Sequence, residues 1–375
     1  MVSSKRGSIS AATLTAPPCD RGDDASTSRR SQTAIESNGN EFSERHPVGY
    51  NPRLGLLRDG VEMAKHQPIP LIILAGSDPE PVALPEAGAD LHPLKGAKGM
   101  DLRIGGRPII DLLLERVKQS GCFDPVFIAG PARVYGDHRN GARVIDTDST
   151  FGKNIEASVM EVAPESPGGI VAVTTCDILP EGDELRRLME DYFQHAPLDF
   201  WAPLILAPER PKDMGASAWK PKYQIQPTPD AEPTTLLPGH LVIADTNAVR
   251  LPLVFRTFDL AYRSRNRGVL YRLWLISTHI FLGLVVQDVR HILAFRLPDL
   301  TATVITNGVM MGVHLQDGVI TSDEMAERLR RIFVSFKHRR QYPDRKGRLP
   351  LMHALSMAKD IDTEEEAREI ARELS

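Results

Sequence analysis

The chain has 375 residues, enough to bury a full hydrophobic core in one large domain with an accessory region. Hydrophobic residues make up 42% and charged residues 25%, as in globular proteins, and the net charge of −4 provides no overall basic field for nucleic acid. Cys19, Cys122 and Cys176 have neither metal-ligand spacing nor the pattern of a disulfide framework. We therefore expect a cytoplasmic protein whose anion sites, if any, are local.

The first 66 residues are rich in Ser, Thr, Arg, Asp and Gly and contain only scattered apolar residues. Such a composition cannot bury enough surface to offset the entropy of ordering, so residues 1–66 are predicted to be a disordered tail. This segment lacks the continuous apolar stretch of a secretory signal. The folded part is expected to begin near Pro68 or Pro70.

Strands and helices are predicted to alternate through the next part of the chain. Strands are predicted at 71–75, 125–129, 142–145 and 170–175, and helices at 108–120, 152–163 and 184–193. This alternation predicts an α/β fold, a three-layer sandwich in which a mostly parallel mixed sheet is covered by helices on both faces. The predicted core spans residues 67–250.

The second half of the chain changes character. Strands are predicted at 200–206, 223–226 and 241–244, followed by helices at 255–264, 269–293 and 323–337, with Thr321 or Ser322 as the N-cap of the last. Residues 251–345 are thus predicted to form a helical extension. The final segment, 346–375, is expected to pack back on the core.

The loop after the first strand has the features of a phosphate site. Gly76 ends an apolar strand, and Lys95 and Lys98 precede the glycines that open the helix at 108–120. Backbone N–H groups and a cation arranged in this way bind nucleotide phosphates in α/β proteins. The alternative is an ordinary turn glycine with solvated lysines.

Asp177 follows the apolar strand at 170–175. Open α/β sheets bind ligands at the carboxyl ends of their strands, and one carboxylate together with substrate phosphates commonly holds Mg²⁺. We therefore predict that Asp177 is a magnesium ligand. A helix N-cap or turn aspartate is the structural alternative.

Together these segments resemble the MobA-like nucleotidyltransferases. The resemblance covers roughly residues 70–246 and depends on Leu74-Ala75-Gly76, a following lysine, Gly106-Arg107-Pro108-Ile109, Asn154 and Asp177; the ending Asp360-Ile361-Asp362-Thr363 also resembles that of many members. It implies a glycosyltransferase-A type fold, that of nucleotide-diphospho-sugar transferases. It also implies transfer of a nucleoside monophosphate from an NTP to a small, often phosphorylated acceptor, with Mg²⁺ and release of pyrophosphate.

The resemblance also implies roles for individual residues. Leu74, Ala75, Gly76 and Ser77 would contact the nucleotide through their backbone, Lys98 would meet the phosphates, Asn154 would approach the nucleoside and Asp177 would hold Mg²⁺. Three features depart from the family pattern. Ser77 replaces a second glycine, and no arginine lies between Gly76 and Lys98. Lys98 also lies about one position further from the glycine pair than is typical, which leaves Lys95 as a rival.

His240 stands where many relatives carry an oxygen ligand, near Pro238-Gly239. Because Mg²⁺ prefers oxygen, His240 is interpreted as a structural histidine, with contact to the acceptor as the functional alternative. Asp245 is another candidate for this position, although it equally suits a helix cap.

Arginines make the helical half of the chain locally basic, next to an apolar run at 273–286. A solvated helix face is the ordinary interpretation; a clamp for an anionic acceptor or a lipid headgroup is the functional one. The apolar run falls short of the roughly 20 residues that a spanning helix needs, which favours a buried or surface-lying helix.

The sequence therefore predicts a Mg²⁺-dependent nucleotidyltransferase whose partners are an NTP and a small acceptor rather than nucleic acid. A nucleotide-sugar-dependent glycosyltransferase is the first alternative, although those enzymes usually carry Asp-x-Asp at the metal strand, where this chain has Thr175-Cys176-Asp177. A nucleotide-binding protein without catalytic activity is the second. The base, the acceptor and the oligomeric state are not predicted.

Overall fold

The computed structural model of the protein describes residues 67–78, 84, 88–264, 267–293, 298 and 300–374. The tail predicted at 1–66 lies outside the described residues.

The strands are β1 Ile69–Leu74, β2 Arg103–Ile104, β3 Arg107–Pro108, β4 Phe123–Gly130, β5 His138–Arg139, β6 Ala142–Asp146, β7 Ile170–Thr175, β8 Phe200–Trp201, β9 Leu204–Leu206, β10 Tyr223–Ile225, β11 Thr234–Pro238, β12 Leu241–Asp245, β13 Gly347–Arg348 and β14 Leu351–Met352. The helices are α1 Lys98–Asp101, α2 Ile109–Ser120, α3 Ala132–Tyr135, α4 Phe151–Val162, α5 Gly182–His195, α6 Leu251–Arg263, α7 Val269–Leu293, α8 Leu300–Gln316, α9 Ser322–Phe333, α10 Phe336–Gln341 and α11 Glu364–Glu373.

The main sheet has the strand order β13-β8-β12-β7-β1-β4-β6-β5 within the described part of the chain. Its centre is parallel, because β1 pairs in parallel with β4 and β7, and β4 pairs in parallel with β6. Strands β12 and β5 run antiparallel to their neighbours β7 and β6. A second sheet has the order β10-β11-β9-β14.

Helices cover both faces of the main sheet, as the alternation of side chains along β1 requires. Leu71 and Ile73 pack in the cluster that contains residues of α2 and α5, whereas Ile72 and Leu74 pack in the cluster that contains residues of α4 and α6. All four side chains are buried. The predicted three-layer α/β fold with a mostly parallel mixed sheet and C-terminal helices is therefore confirmed.

Three features of the structure differ from the prediction. The single strand predicted at 200–206 is divided into β8 and β9, which belong to different sheets and flank Pro203, a residue without an N–H for a ladder. The helix predicted at 323–337 ends at Phe333, and α10 begins beyond Ser335, which caps it. Helix α8 was not predicted as a separate element. Thr321 is the N-cap of α9, and its side chain accepts a hydrogen bond from the Glu324 N–H.

One buried carboxylate joins the helical extension to the sheet. Asp199, fully buried before β8, accepts hydrogen bonds from Arg330 of α9 at 2.7 Å and from the His338 ring of α10 at 3.1 Å. Arg345 lies 3.1 Å from the same carboxylate. A buried ion network of this kind adds little as a whole, but removal of one member leaves buried charges without a partner.

Replacing Asp199 by alanine is therefore expected to lower the free energy of unfolding by about 3–5 kcal/mol, because Arg330 would keep a buried charge without its carboxylate. Urea denaturation measures the change. Asp344→Asn, at an exposed position, is the matched control and should change it by less than about 0.5 kcal/mol. Equal stability of the Asp199→Ala variant and the control would contradict this interpretation.

The end of the chain returns to both sheets. β13 pairs in parallel with β8, and β14 pairs in parallel with β9. Arg348 of β13 donates two hydrogen bonds to Asp191 of α5, at 3.0 and 2.8 Å, and the buried Trp201 indole donates a third at 2.8 Å. Partial burial alone would raise the pKa of Asp191, but these hydrogen bonds outweigh it and hold the pKa below that of an ordinary aspartate.

This depressed pKa predicts a pH-dependent contribution to stability. The carboxylate stabilises the fold above the unfolded-state pKa of roughly 3.9, and the contribution is lost as the pH falls through the lower folded-state value. Asp191→Asn should therefore reduce the free energy of unfolding by about 1 kcal/mol at pH 7, a figure that allows for solvent screening. In denaturation series the difference should shrink as the pH falls from about 5 to about 2. A constant difference would show that the charge of Asp191 is not responsible.

Within the described residues, no helix combines the length and hydrophobicity needed to cross a bilayer.

Candidate active site

A cavity of about 620 Å³ opens at the carboxyl ends of β1 and β7. Its floor is formed by the loops that follow these two strands, at Gly76-Ser77 and Thr175-Asp177. The start of α4, one face of α6, and the segments 219–223 and 358–362 complete the walls. This is the edge of an open α/β sheet at which ligands bind.

Three aspartates meet at the base of the cavity. Asp177, Asp360 and Asp362 each place a carboxylate oxygen within 4.8 Å of the others. The Lys98 ammonium lies among them, 3.1 Å from Asp177 and 2.5 Å from Asp362. Residues from three distant parts of the chain thus form one compact charged cluster, which contains both Lys98 and Asp177.

The cluster keeps Lys98 charged. Burial alone would lower the pKa of Lys98, but the negative charges of Asp362 and Asp177 outweigh it and raise the pKa well above the usual value for lysine. Burial would likewise raise the pKa of Asp177, and the positive charge of Lys98 instead lowers it. The pKa of Asp360 is raised, first by burial and then by the neighbouring charge of Asp362.

A second buried lysine supports the other side of the cluster. Lys220, 6% exposed, lies 2.7 Å from Asp360, 3.4 Å from Asp362 and 3.2 Å from Glu366 of α11. Its ammonium also lies 4.8 Å from the centre of the Trp219 ring, in a cation–π contact. These partners raise the pKa of Lys220 above the usual value although burial opposes them. Lys220 therefore fixes the carboxylates of the C-terminal segment.

Backbone hydrogen bonds hold the separate segments of the cluster in register. The Ile361 N–H donates to the Asp177 carbonyl at 2.8 Å, and the Leu94 N–H donates to the Asp362 carbonyl at 2.8 Å. Asp78 and Gly96 exchange a pair of hydrogen bonds at 2.9 Å, which joins the loop after β1 to the segment that carries Lys98. Each charged side chain is thus placed by its own backbone anchor.

The start of α11 orients the two C-terminal aspartates. Thr363 and Glu366 form a capping box, in which each side chain accepts a hydrogen bond from the backbone N–H of the other residue. Glu366 also accepts a hydrogen bond from the Asp362 N–H at 2.8 Å. The sequence Asp-x-Asp-Thr therefore has a structural reason: its threonine begins the helix, and its aspartates reach back into the cavity.

The cluster fits a divalent cation. Among the described residues, Asp177 Oδ1 is buried without a hydrogen-bond partner, although a buried carboxylate oxygen normally has one. Among the described residues of the cluster, the carboxylates of Asp177, Asp360, Asp362 and Glu366 outnumber the two ammonium groups, and a bound cation would favour their ionised forms. Oxygen-only donors are the set that Mg²⁺ prefers.

Replacing Asp362 by asparagine is expected to weaken Mn²⁺ binding by at least about tenfold, since loss of even an outer partner of a ligand costs about 10- to 100-fold. Asparagine keeps the volume and removes the charge. Isothermal titration with MnCl₂ measures the affinity, and circular dichroism checks the fold. The exposed Asp344→Asn variant should bind as the unmodified protein does. Equal affinity in all three proteins would place the cation elsewhere.

Gly76 and Asn154 approach each other closely at the cavity floor. A Cβ at position 76 would lie 2.5 Å from the Asn154 amide nitrogen. Asn154 cannot easily move, because its side-chain oxygen accepts hydrogen bonds from the Thr147 hydroxyl at 2.9 Å and the Ser149 N–H at 2.8 Å. Glycine is thus required where the loop crosses Asn154, and Asn154 braces the loop before α4 while it lines the cavity.

Not all of the other residues predicted to contact the nucleotide line the cavity. Leu74 and Ser77 line the cavity with Gly76, whereas Ala75 is buried and its N–H donates to the Ala129 carbonyl. The Ser77 hydroxyl and N–H both donate to Asp148, at 2.5 and 3.0 Å. Lys95 is exposed and does not line the cavity, whereas its rival Lys98 does.

His240 lines the cavity and links two of its walls. Its Nδ1 lies 3.2 Å from the Thr175 hydroxyl and its Nε2 lies 3.6 Å from Asp360. Asp245, the alternative to His240, lies outside the cavity lining; it accepts a hydrogen bond from the Asn247 N–H and pairs with Arg345 at 2.8 Å. Of the two candidates for this position, His240 therefore lines the cavity and Asp245 does not.

Several lining residues had not been predicted from the sequence. Asp360 and Asp362 were recognised only as a family-like ending, and Lys220 gave no signal because it follows Trp219 in irregular, proline-rich sequence. Helix α6 also contributes Asp259, Tyr262 and Arg263 to the wall. Tyr262 stacks on Phe151 with ring centres 4.7 Å apart, and its hydroxyl donates a hydrogen bond to Asp78 at 3.0 Å. These contacts connect the helical extension to the loop that follows β1.

Comparisons with known proteins give distant likenesses to solved structures. No protein-family profile and no curated protein matches the sequence. Among solved structures, the chain resembles a hypothetical transferase from Thermus thermophilus, with 17% identity, 80% of this chain and 99% of that chain covered, and a TM-score of 0.49. It also resembles a CMP:2-keto-3-deoxy-manno-octonic acid synthetase complexed with CTP, with 11% identity, 82% of this chain and 98% of that chain covered, and a TM-score of 0.42. A third similar structure is that of 2-C-methyl-D-erythritol 4-phosphate cytidylyltransferase, also from Thermus thermophilus, with 12% identity, 82% of this chain and 100% of that chain covered, and a TM-score of 0.35. Likenesses at this low level of identity give no information on the substrate of this chain.

Proposed function

We propose that the protein is a Mg²⁺-dependent nucleotidyltransferase, of the MobA-like type, that moves a nucleoside monophosphate from an NTP to a small phosphorylated acceptor. The observation that carries the proposal is the meeting of Lys98 with Asp177, Asp360 and Asp362 at the carboxyl ends of β1 and β7. A cation site and a buried ammonium group in one cavity are the elements that phosphoryl-group transfer needs, because the reaction is accelerated mainly by positioning and charge stabilisation.

The nucleotide is proposed to lie against the loop that follows β1. Gly76 keeps this loop free of a side chain where it passes Asn154, so the backbone can approach the phosphates. Lys98 directs two of its three N–H donors to Asp177 and Asp362, and it lines the cavity. Its charge would offset that of the β- and γ-phosphates as pyrophosphate leaves.

In the proposed reaction an oxygen of the acceptor attacks the α-phosphorus of the NTP. A bond forms between this oxygen and the α-phosphorus, and the bond from the α-phosphorus to the bridging oxygen of the β-phosphate breaks. Pyrophosphate leaves with the electron pair. A phosphate-monoester acceptor is already deprotonated at neutral pH, so no general base among the cavity residues is required. His240, with Asp259 and Arg263 of α6, lies on the walls that remain for the acceptor.

Asp177, with Asp360 or Asp362, would hold the Mg²⁺. When bound, the ion supplies Lewis-acid stabilisation of charge on the phosphate oxygens. The two lysines prevent the three carboxylates from repelling one another before the ion and nucleotide arrive.

A nucleotide-sugar-dependent glycosyltransferase is the second candidate, and one observation favours it. Asp360-Ile361-Asp362 is an Asp-x-Asp sequence, and both carboxylates lie in the cavity. This sequence does not follow β7, where the metal-binding aspartates of such enzymes usually lie. Asp360 and Asp362 nevertheless lie next to Asp177, which does follow β7. The two reactions release different products: pyrophosphate from the first, a nucleoside diphosphate from the second.

Isothermal titration with each of the four NTPs and Mg²⁺ tests the proposal. At least one NTP should bind, and Lys98→Met should weaken its binding by about 10- to 100-fold, as expected for loss of a hydrogen bond to a charged group. Lys95→Met is the matched control, because Lys95 is exposed outside the cavity, and it should leave the affinity unchanged. Failure of all four NTPs to bind, or equal loss in both variants, would contradict the proposal.

Product analysis on the same protein separates the two candidates. Incubation with the bound NTP and a panel of sugar phosphates should release pyrophosphate, whereas incubation with nucleotide-sugars should not release a nucleoside diphosphate. The opposite pattern would establish the glycosyltransferase. Binding without either product would identify a nucleotide-binding protein without catalytic activity.

A further inference from the structure

The hairpin formed by α7 and α8 exposes an apolar face that no other described residue covers. Helix α7 buries Ile280, Leu284 and Asp288 on one side. Beside this buried side, large apolar side chains recur at helical spacing: Trp274 is 61% exposed, Phe281 49%, Val289 49% and Ile292 56%, with Tyr271 and Leu293 at the ends. A continuous apolar stripe of this length on a helix marks a binding surface.

Helix α8 continues the uncharged character of the hairpin. It contains no aspartate, glutamate, lysine or arginine, and Val309, Met310 and Val313 are exposed on it. Asp288, the acidic residue of α7, points inward and accepts hydrogen bonds from the backbone N–H groups of Leu300 and Thr301. The exposed faces of the hairpin therefore carry no acidic side chain among the described residues.

The region around the hairpin is strongly basic although the whole chain is acidic. Residues 250–316 contain eight arginines and three aspartates, without lysine or glutamate, whereas the net charge of the chain is −4. Arg267 and Arg290 are exposed. An anionic surface complements this charge.

The same charge pattern disfavours a second copy of the chain as the occupant. In a two-fold symmetric dimer the same patch meets itself, so arginines at the margins of the hairpin would face one another without acidic partners from the hairpin. Phospholipid headgroups would neutralise them instead. Aromatic residues such as Trp274 and Tyr271 are suited to the boundary between headgroups and acyl chains.

We infer that the α7–α8 hairpin binds the surface of a bilayer that contains anionic phospholipids. The apolar stripe would enter the headgroup region, and the arginines would contact lipid phosphates. No described helix is able to span a bilayer, which agrees with a surface-lying hairpin. Helix α6 contributes residues to the cavity wall, and its Leu253 and Leu260 pack in the cluster that contains Ile280 of α7. The hairpin is therefore attached to one wall of the cavity. The inference stands independently of the proposed function.

Co-sedimentation of the full chain with vesicles tests the inference. The protein should pellet with vesicles that contain phosphatidylglycerol, should pellet at least about tenfold less with pure phosphatidylcholine, and should be released by high salt. The variant W274E/F281E should lose binding. M160E/F336E carries the same changes at exposed apolar positions outside the hairpin and should bind normally. No binding to anionic vesicles, or equal binding by both variants, would overturn the inference.

Tryptophan fluorescence gives a second measurement that needs no charge-bearing variant. Trp201 is buried and Trp219 is partly buried, so Trp274 is the exposed member of the three tryptophans in the chain. Anionic vesicles should shift the emission maximum to shorter wavelength, and the shift should be absent from Trp274→Phe. A shift retained in Trp274→Phe would overturn the inference. So would a dimer, detected by sedimentation velocity without lipid, that W274E/F281E dissociates.

Discussion

The ion pairs between Lys98 and the carboxylates of Asp177 and Asp362 are the interaction on which the rest of the site depends. They join the segment before α2, the end of β7 and the segment before α11 at one point. Burial makes each isolated charge unfavourable, so the cluster is stable only when all three segments are in place. The fold therefore brings the walls of the cavity and its charges together at one point.

The C-terminal segment is part of the active-site architecture rather than an appendage to it. Its strands β13 and β14 extend both sheets, and its capping box at Thr363 directs Asp360 and Asp362 into the cavity. Lys220 holds the same aspartates from the other side. The helical extension contributes a further wall through α6, while Asp199 secures α9 and α10 to the sheet. The walls of the cavity thus come from different parts of the chain.

The sequence predicted what depends on local patterns. The alternating buried strands and amphipathic helices predicted the three-layer fold, and an aspartate at the end of a buried strand predicted Asp177 at the cavity. Long-range placement could not be obtained in this way. A backbone hydrogen bond from Ile361 to Asp177 and the capping box at Thr363 place Asp360 and Asp362 at the cavity, and Lys220 lies in irregular sequence whose path is set by its partners. Pro203 likewise divided a strand that hydrophobicity alone predicted as continuous.

The most direct test of the central claim is a crystal structure of the protein with Mn²⁺ and a non-hydrolysable NTP analogue, with the ion located by its anomalous signal. We expect Mn²⁺ between Asp177 and one of Asp360 and Asp362, and the triphosphate in contact with Lys98 and the backbone at Gly76. An ion bound away from these aspartates, or a triphosphate outside the cavity with Lys98 still enclosed by its carboxylates, would contradict the account.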